Sequence, residues 1–260
     1  MKLEHLKIDK RQSTPLSLQI FQSIKHMITD QQIGYLQQLP DVNELAKHLE
    51  VTDKDVLDAY NRLVSENFLH AEKDHYFVNF VHFSSDFYIK PSKLYDIIKQ
   101  LGLTPSIKTI KRKVTTLPFQ LQIDNHFKQN ESFIHLKRIY YGNNIPLALM
   151  DTYLPYKDFH QIEDKIIDEK PLYETIFTET KRLVTSGKRL MTVTNLSRED
   201  AKILNAQRDV ASYQVISSTY DQHHKLIDIS RSISTMNQYF EVDFNEEDIS
   251  KITKNHFFYI

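Results

Sequence analysis

The chain has 260 residues, of which 40 % are hydrophobic and 26 % are charged, and its formal net charge is −1. This composition is typical of a globular protein with one large or two ordinary domains, and it excludes disordered and fibrous classes. No apolar run approaches the roughly eighteen residues of a membrane span, and the first residues lack a signal-peptide core, so we expect a cytoplasmic protein. The absence of cysteine excludes disulfides and thiolate chemistry, and four scattered glycines exclude a glycine-rich phosphate loop.

The first fifty residues predict two short helices. Thr14 followed by Pro15 predicts the N-terminus of the first helix, because proline is favoured in the first turn. Apolar residues then recur at helical spacing to about residue 30. Asp41 and Glu44 have the spacing of a capping box, which predicts the N-terminus of the second helix.

A third helix is predicted from Thr52, which has capping-box spacing with Asp55. Only two residues separate it from the second helix, and so tight a turn predicts a helix-turn-helix. Two short apolar runs, 68–70 and 76–78, then bracket a polar turn and predict a β-hairpin, the wing of a winged helix. Residues 1–80 are therefore predicted to form one winged helix-turn-helix domain.

After a predicted linker at 81–91, the pattern changes to helices mixed with strands. Several strand segments carry an apolar residue at every second position. The predicted strands are 106–115, 132–141, 146–153, 183–194, 210–221 and 225–236, and the predicted helices are 92–101, 118–127, 171–180 and 197–205. Short turns join neighbouring strands, so residues 92–260 are predicted to form a domain around a mostly antiparallel sheet, which makes the whole chain α+β.

The order of these elements resembles the GntR family of bacterial transcription regulators. The second domain is similar to the HutC-type effector domain, also called UTRA, which shares its fold with chorismate lyase. Short segments in the family's order carry the resemblance: Pro15-Leu16-Ser17-Leu18-Gln19-Ile20, Leu39-Pro40, Glu44-Leu45-Ala46, Val51-Thr52 with Val56, Phe77-Val78, Leu136-Lys137-Arg138-Ile139, Gly142, Pro146, Leu154-Pro155, Leu172-Tyr173 and Asp228-Ile229-Ser230-Arg231. The resemblance implies a head that binds a double-stranded DNA operator and a second domain that binds a small-molecule effector and dimerises, with no metal or cofactor. A homodimer is also expected because two half-sites need two reading heads.

The resemblance places the DNA contacts on the helix-turn-helix, the segment before it and the wing. The candidate residues are Arg11, Asn43, Thr52, Lys54, Lys73 and His75. However, Asn43, Asp53 and Leu57 stand where the family usually carries arginines, and the first eighty residues carry nine Lys+Arg against twelve Asp+Glu. Because DNA readers are expected to show a basic footprint, a degenerate head that binds a protein partner is an open alternative. A helix cap for Thr52 and a solvated charge for Lys54 are the structural alternatives.

The candidate effector-binding residues are Ser92, Arg138, Tyr140 and Asp228. Arg138 and Tyr140 share one face of their strand, where a guanidinium and a phenol can hold an anionic or hydroxylated ligand. Family members that sense phosphorylated sugars carry two arginines here; Tyr140 replaces the second, which predicts an effector with at most one negative charge. Asp228 would accept hydrogen bonds from neutral groups, and Ser92 would donate near a helix N-terminus. A surface ion pair for Arg138 and a solvated sheet face for Asp228 are the alternatives.

An enzyme of the chorismate lyase type is the main alternative function, because the second domain shares that fold. Fold does not imply function, and a helix-turn-helix has no role in lyase chemistry, so we expect a regulator, with repression as its direction. The adjacent His223 and His224 lie on a predicted turn and point apart, so we expect no metal site there.

Overall fold

The computed structural model describes residues 6–82, 94–122, 131–168, 170–207, 209–236 and 238–239. Three helices form the first part: α1 (Leu16–Thr29), α2 (Val42–Leu49) and α3 (Asp53–Ser65). Two antiparallel strands follow them, β1 (Leu69–Glu72) and β2 (His75–Val78). The predicted helix-turn-helix and wing are therefore confirmed.

The apolar stripe of each helix in the head faces one common core. Ile20 and Ile24 of α1, Leu45 of α2, and Val56 and Leu63 of α3 are fully buried in it. Each such side chain contributes roughly 1.5–3 kcal/mol when it leaves water, so the helical periodicity in the sequence specifies this core.

Two of the three predicted helix starts differ in detail. Pro15, and not Thr14, occupies the N-cap of α1, with no side-chain cap hydrogen bond. Asp41 occupies the N-cap of α2 but makes no cap hydrogen bond either; its Oδ1 lies 3.1 Å from Nδ1 of His75 on the wing. Thr52 forms the predicted capping box with Asp55.

The second part is built around a six-stranded sheet. Its strands are β4 (Pro105–Thr116), β5 (Ser132–Gly142), β6 (Ile145–Pro155), β7 (Val184–Asn195), β8 (Ala211–Asp221) and β9 (Leu226–Ser234). Their order is β4-β5-β6-β9-β8-β7, and every neighbouring pair is antiparallel. The predicted α+β class with a mostly antiparallel sheet is thereby confirmed.

Short helices cover this sheet. They are α4 (Leu94–Gln100), α5 (Tyr156–Phe159), α6 (Leu172–Thr180) and α7 (Arg198–Ile203). Ser197 caps α7 as its spacing to Asp200 predicts, because its Oγ accepts from the Asp200 backbone N–H at 3.0 Å. The predicted helix at 118–127 is wrong in its extent: a single 3₁₀ turn covers Phe119–Leu121, and residues 123–130 lie outside the described residues.

The predicted linker at 81–91 does not begin at residue 81. Strand β3 (Val81–His82) pairs in parallel with β10 (Gln238–Tyr239), and the side chain of Val81 is fully buried in a core of the second part. The linker's remaining residues, 83–91, lie outside the described residues. Tyr35 and Leu36 of the head pack against the same core, so the two parts are in contact.

Candidate functional sites

One face of the sheet, together with α4 and α6, lines a pocket of about 110 Å³. Its polar lining comes from alternate residues on neighbouring strands, which share a face because the side-chain period is two. These residues are Arg138, Tyr140, Thr152, Arg189, Ser217, Thr219, Asp228, Ser230 and Ser232. The structure thus brings together three of the predicted effector-binding residues, while the fourth, Ser92, lies outside the described residues.

Arg138 is the largest buried polar side chain of the pocket. It is only 1 % exposed, and its Nε and Nη1 have no hydrogen-bond partner among the described residues. Its guanidinium lies 5.7 Å from the ring centroid of Tyr140. The alternative of a surface ion pair is therefore wrong. A buried donor left unpaired costs about 1–3 kcal/mol, and more when it is charged, so a ligand acceptor fits this position.

Asp228 lies fully buried on the same face of the sheet. Its Oδ2 accepts hydrogen bonds from the Tyr173 hydroxyl at 2.8 Å and from Thr219 Oγ1 at 2.6 Å. Its Oδ1 has no partner among the described residues. Burial raises the pKa of Asp228, although these two hydrogen bonds act in the opposite direction. The alternative of a solvated sheet face is wrong, and the free oxygen offers an acceptor to a ligand donor.

Tyr173, Thr152 and Arg189 are among the pocket residues that the sequence analysis missed as site residues. The hydroxyl of Tyr173 on α6 donates a hydrogen bond to Asp228. The pKa of this phenol is raised, mainly because it is buried and also because the carboxyl group of Asp228 lies beside it. Thr152 of β6 has a buried Oγ1 without a partner within the described ranges, and Arg189 of β7 lines the far wall. The alternation along β6 and β7 indicates which face of the strand Thr152 and Arg189 lie on. It identifies them as pocket residues only when the order of the strands in the sheet is known.

The opposite face of the sheet carries a buried ionic network that the sequence analysis did not predict. Nε2 of His135 lies 2.8 Å from Asp151, while Asp200 of α7 accepts from Lys137 at 3.2 Å and from Arg231 at 3.0 Å. Burial alone would raise the pKa of Asp200, but Arg231 and Lys137 hold it below its usual value. The network ties α7 to three strands, which gives it a structural role.

The six candidate DNA-binding residues are all exposed on the head. The Thr52 hydroxyl donates to Asp55 Oδ2 at 2.6 Å and accepts from the Asp55 N–H at 3.2 Å, so the helix-cap alternative holds for this side chain. At the wing tip, Lys73 has a φ of 55°, in the left-handed region that glycine adopts more readily. On α3, Leu57 is 40 % exposed close to Lys54.

Within the described part of the chain, no three histidine, aspartate or glutamate side chains come together as a metal-binding group. No helix in the same ranges is long and apolar enough to cross a membrane.

Comparisons with known families cover both parts of the chain. The model of the UTRA domain matches residues 100–239, and the model described as "Bacterial regulatory proteins, gntR family" matches residues 16–75. The second match covers the helix-turn-helix and the first residue of β2, and the first covers the sheet that forms the pocket.

Individual relatives extend over nearly the whole chain. The HTH-type transcriptional repressor NagR of Bacillus subtilis is 20 % identical over 248 residues, 92 % of this chain and 98 % of that protein. The crystal structure of PhnF from Mycobacterium smegmatis covers 86 % of this chain and 99 % of its own, with a TM-score of 0.57 and 16 % identity. The crystal structure of YydK, a possible transcriptional regulator of Bacillus subtilis, covers 89 % of this chain and 100 % of its own, with a TM-score of 0.50 and 15 % identity. Since the UTRA match alone spans more than half of the chain, this protein belongs to the GntR family of ligand-responsive transcription regulators that carry a UTRA domain, and not to a family of enzymes.

Proposed function

We propose that this regulator is a cytoplasmic homodimer that represses transcription from a DNA operator and is controlled by a small metabolite in the pocket. The observation that carries the proposal is the pocket itself, where Arg138 and Asp228 leave buried polar atoms unpaired among the described residues. Such atoms are expected to find partners when a polar ligand binds. The relative named as a repressor supports the direction of regulation.

The effector is proposed to carry at most one negative charge. Arg138 is buried in the pocket lining and keeps two nitrogens unpaired among the described residues, while Tyr140 stands where family members that sense phosphorylated sugars carry a second arginine. One buried guanidinium suits a single negative charge. Tyr140 and Met150 add apolar and aromatic surface beside it. A carboxylate or an unphosphorylated sugar suits this lining better than a phosphate dianion, which needs several converging charged donors.

Within this pocket, Arg138 is proposed to contact the charged or most electron-rich group of the effector. Tyr140 and Asp228 would hold neutral polar groups, with Asp228 Oδ1 as the acceptor. The orientation of Asp228 is fixed by Tyr173 and Thr219, which already occupy its other oxygen. The acceptor oxygen of Asp228 is therefore already fixed in position, and ligand binding does not have to restrict its side chain.

Isothermal titration with paired ligands tests the effector class. Phosphorylated sugars are compared with their unphosphorylated forms and with monocarboxylates on the full chain. We expect the tightest binding from ligands that carry no charge or a single negative charge. Arg138→Ala should weaken this binding, whereas Lys108→Ala, a substitution on the exposed surface, should not. A phosphosugar that binds more tightly than its unphosphorylated form, with the gain lost in Arg138→Ala, would contradict the proposal.

Operator binding is tested by fluorescence anisotropy with duplexes from the region upstream of the gene. We expect sequence-specific binding that weakens with salt, as phosphate neutralisation requires, and that the effector reverses. The candidate contacts are Arg11, Asn43, Thr52, Lys54, Lys73 and His75.

A head that binds a protein is the second candidate, and the exposed surface of α3 favours it. This surface combines the apolar Leu57, which is 40 % exposed, with the exposed carboxylates of Asp53 and Asp58. Carboxylates there repel the phosphate backbone. Weak duplex binding that does not depend on sequence, even at low salt, would favour this second candidate over operator binding.

A further inference from the structure

The start of helix α6 forms one wall of the pocket. Pro171, Leu172 and Tyr173 line it there, and the Tyr173 hydroxyl donates to Asp228 on β9 at 2.8 Å. This helix start has no side-chain cap: Pro171 occupies the N-cap and makes no side-chain hydrogen bond. The placement of the wall, and of the hydroxyl that holds Asp228, therefore depends on what anchors the chain before and after α6.

The chain after α6 is anchored to the turn between β8 and β9. Arg182, two residues beyond the helix, donates through Nε to Asp221 Oδ2 at 2.7 Å and through Nη2 to the carbonyl oxygen of Leu226 at 2.7 Å. Asp221 is 1 % exposed, and its Oδ1 accepts from the backbone N–H groups of His223 and Lys225. The end of α6 is therefore held by a buried ion pair.

The chain before α6 is anchored to the opposite side of the sheet, through Asp168. Its Oδ1 accepts a hydrogen bond from the backbone N–H of Thr109 at 2.9 Å and a second one from the Thr109 hydroxyl. Thr109 lies on the edge strand β4, next to the bulge at Ile110. An edge strand presents N–H groups that its own sheet leaves unpaired. Asp168 pairs one of these groups and so attaches the approach to α6 to the edge of the sheet.

This attachment lies beside the buried arginine of the pocket. Thr109 is directly opposite Arg138 of β5, and opposite residues of an antiparallel pair point to the same face. A second contact supports it, because Arg112 of β4 donates to the carbonyl oxygens of Glu163 at 3.1 Å and of Ile166. The chain that leads into α6 is therefore fixed to the strand next to Arg138, while Tyr173 connects the helix itself to β9.

We propose that Asp168 is a positioning residue of the effector pocket: its contact with Thr109 fixes the start of α6 and, through Tyr173, the orientation of Asp228 towards the ligand. The inference rests on the effector site proposed above and adds a residue from outside the described lining of the pocket. A site that is ordered before binding costs the ligand less conformational entropy. Loss of the Asp168 contact therefore weakens ligands that use Asp228, although Asp168 does not touch them.

The reactivity of Tyr173 tests the positioning without any ligand. Tetranitromethane nitrates the phenolate form of tyrosine, and both burial and the bond to Asp228 keep Tyr173 in its phenol form. We expect Asp168→Ala to accelerate its nitration about 10-fold, since two hydrogen bonds that oppose local opening are lost. Asp168→Asn keeps the Oδ1 acceptor and restores the slow rate. Asp164→Ala, an exposed change in the same segment, is the matched control.

Mass spectrometry resolves the nitration of each tyrosine, so the fully buried Tyr60 of the head serves as an internal reference. We expect its rate to be the same in all variants. If nitration of Tyr173 is unchanged in Asp168→Ala, or if Tyr60 accelerates in step with it, the proposal is overturned. Thr109→Val removes only the hydroxyl donor and covers the case in which Asp168→Ala does not fold; we expect a smaller acceleration at Tyr173 alone.

Titration calorimetry with lactate and acetate tests the effect on binding. Both probes carry a carboxylate for Arg138, but only lactate carries a hydroxyl donor for Asp228. We expect Asp168→Ala to raise the dissociation constant of lactate about 10-fold and that of acetate less than about 2-fold, with lactate binding restored in Asp168→Asn. A general loss of structure would weaken both probes alike.

The two experiments separate this proposal from the proposed effector class. Equal weakening of lactate and acetate, or faster nitration of Tyr173 with unchanged lactate affinity, would overturn the role of Asp168 in binding. A wild-type protein that binds neither probe would count against a monoanionic effector. The nitration rates would in that case still decide whether Asp168 fixes α6 over the pocket.

Discussion

Arg138 on β5 and Asp228 on β9 line the same pocket, and both keep buried polar atoms unpaired among the described residues. The arginine presents donors, Nε and Nη1, and the aspartate presents an acceptor, Oδ1. A ligand that fits both has an electron-rich group at one end and a hydrogen-bond donor at the other. These two residues therefore select for the polarity of the effector as well as for its charge.

Replacing Arg138 with methionine separates ligand binding from folding. The change removes donors that are unpaired in the described structure and keeps an apolar stem, so we expect a melting temperature equal to or above that of the wild type. Effector affinity falls about 10- to 150-fold, since a hydrogen bond to a charged group contributes about 1.5–3 kcal/mol. Titration calorimetry and thermal melts measure the two effects, with Lys108→Met as the control. A strongly destabilised Arg138→Met protein would show that the Arg138 side chain stabilises the fold, and would contradict this prediction.

The buried carboxyl of Asp228 makes stability depend on pH. Because burial raises its pKa in the folded state, its protonated form is favoured by folding. The resulting stability is fully present below the unfolded-state pKa and is lost as pH rises through the folded-state pKa. An asparagine side chain cannot ionise, so the Asp228→Asn variant does not lose this stability. We therefore expect its free energy of unfolding, relative to that of the wild type, to increase as pH rises. Urea titrations at several pH values measure this, and a difference that is constant with pH would contradict it.

The ionic network on the other face of the sheet has the opposite pH dependence. The pKa of Asp200 is lowered, so its contribution is present above the unfolded-state pKa and is lost as pH falls through the folded-state pKa. Asp200→Asn removes the buried carboxylate that Lys137 and Arg231 share, and leaves Arg231 with Asp151 and Lys137 with the exposed Glu199. We therefore expect a loss of about 3 kcal/mol at neutral pH, the lower end for a broken buried ion pair. This loss shrinks in acid. Chemical denaturation measures it, with Glu199→Gln as control: Glu199 is 76 % exposed, and surface pairs contribute about 0–1 kcal/mol.

Thr52 and Lys54 lie two residues apart, and their substitutions are expected to act differently. Thr52→Ala removes the capping box of α3 and lowers the free energy of unfolding by about 1 kcal/mol, whereas Thr52→Ser preserves the cap. Lys54→Ala leaves stability unchanged and, if Lys54 contacts a phosphate, reduces the salt slope of duplex binding by about 1. Thermal denaturation and anisotropy across a salt series measure these effects. A salt slope that Lys54→Ala does not change would assign Lys54 to the solvated surface.

Local periodicity was sufficient for most of the architecture. The helical spacing of Ile20, Ile24, Val56 and Leu63 specifies the core of the head, and the alternation along the strands specifies which side chains share a face. Both patterns arise from backbone geometry within a few residues, so they are visible without knowledge of distant partners. The cap at Thr52 was predictable for the same reason, since its partner is three residues away.

Long-range partners explain where the sequence was insufficient. Asp41 has the position of a cap, but its carboxylate contacts His75, which is 34 residues later and reaches it only through the wing. Thr152 and Arg189 belong to strands that join the pocket through the order β5-β6-β9-β8-β7. Nothing in the local pattern of either strand reveals that order.

The sequence by itself determined the family, the two-part organisation, the antiparallel sheet, and the placement of Arg138 and Tyr140 on one face. Only the tertiary structure decided that this face lines a pocket, that Asp228 is buried in it beside Tyr173, and that β7 is an exposed edge. The physical reason is that alternation assigns side chains to one of two faces of a strand. Whether that face meets water, a helix or a ligand depends on elements that the chain brings to it from far along the sequence.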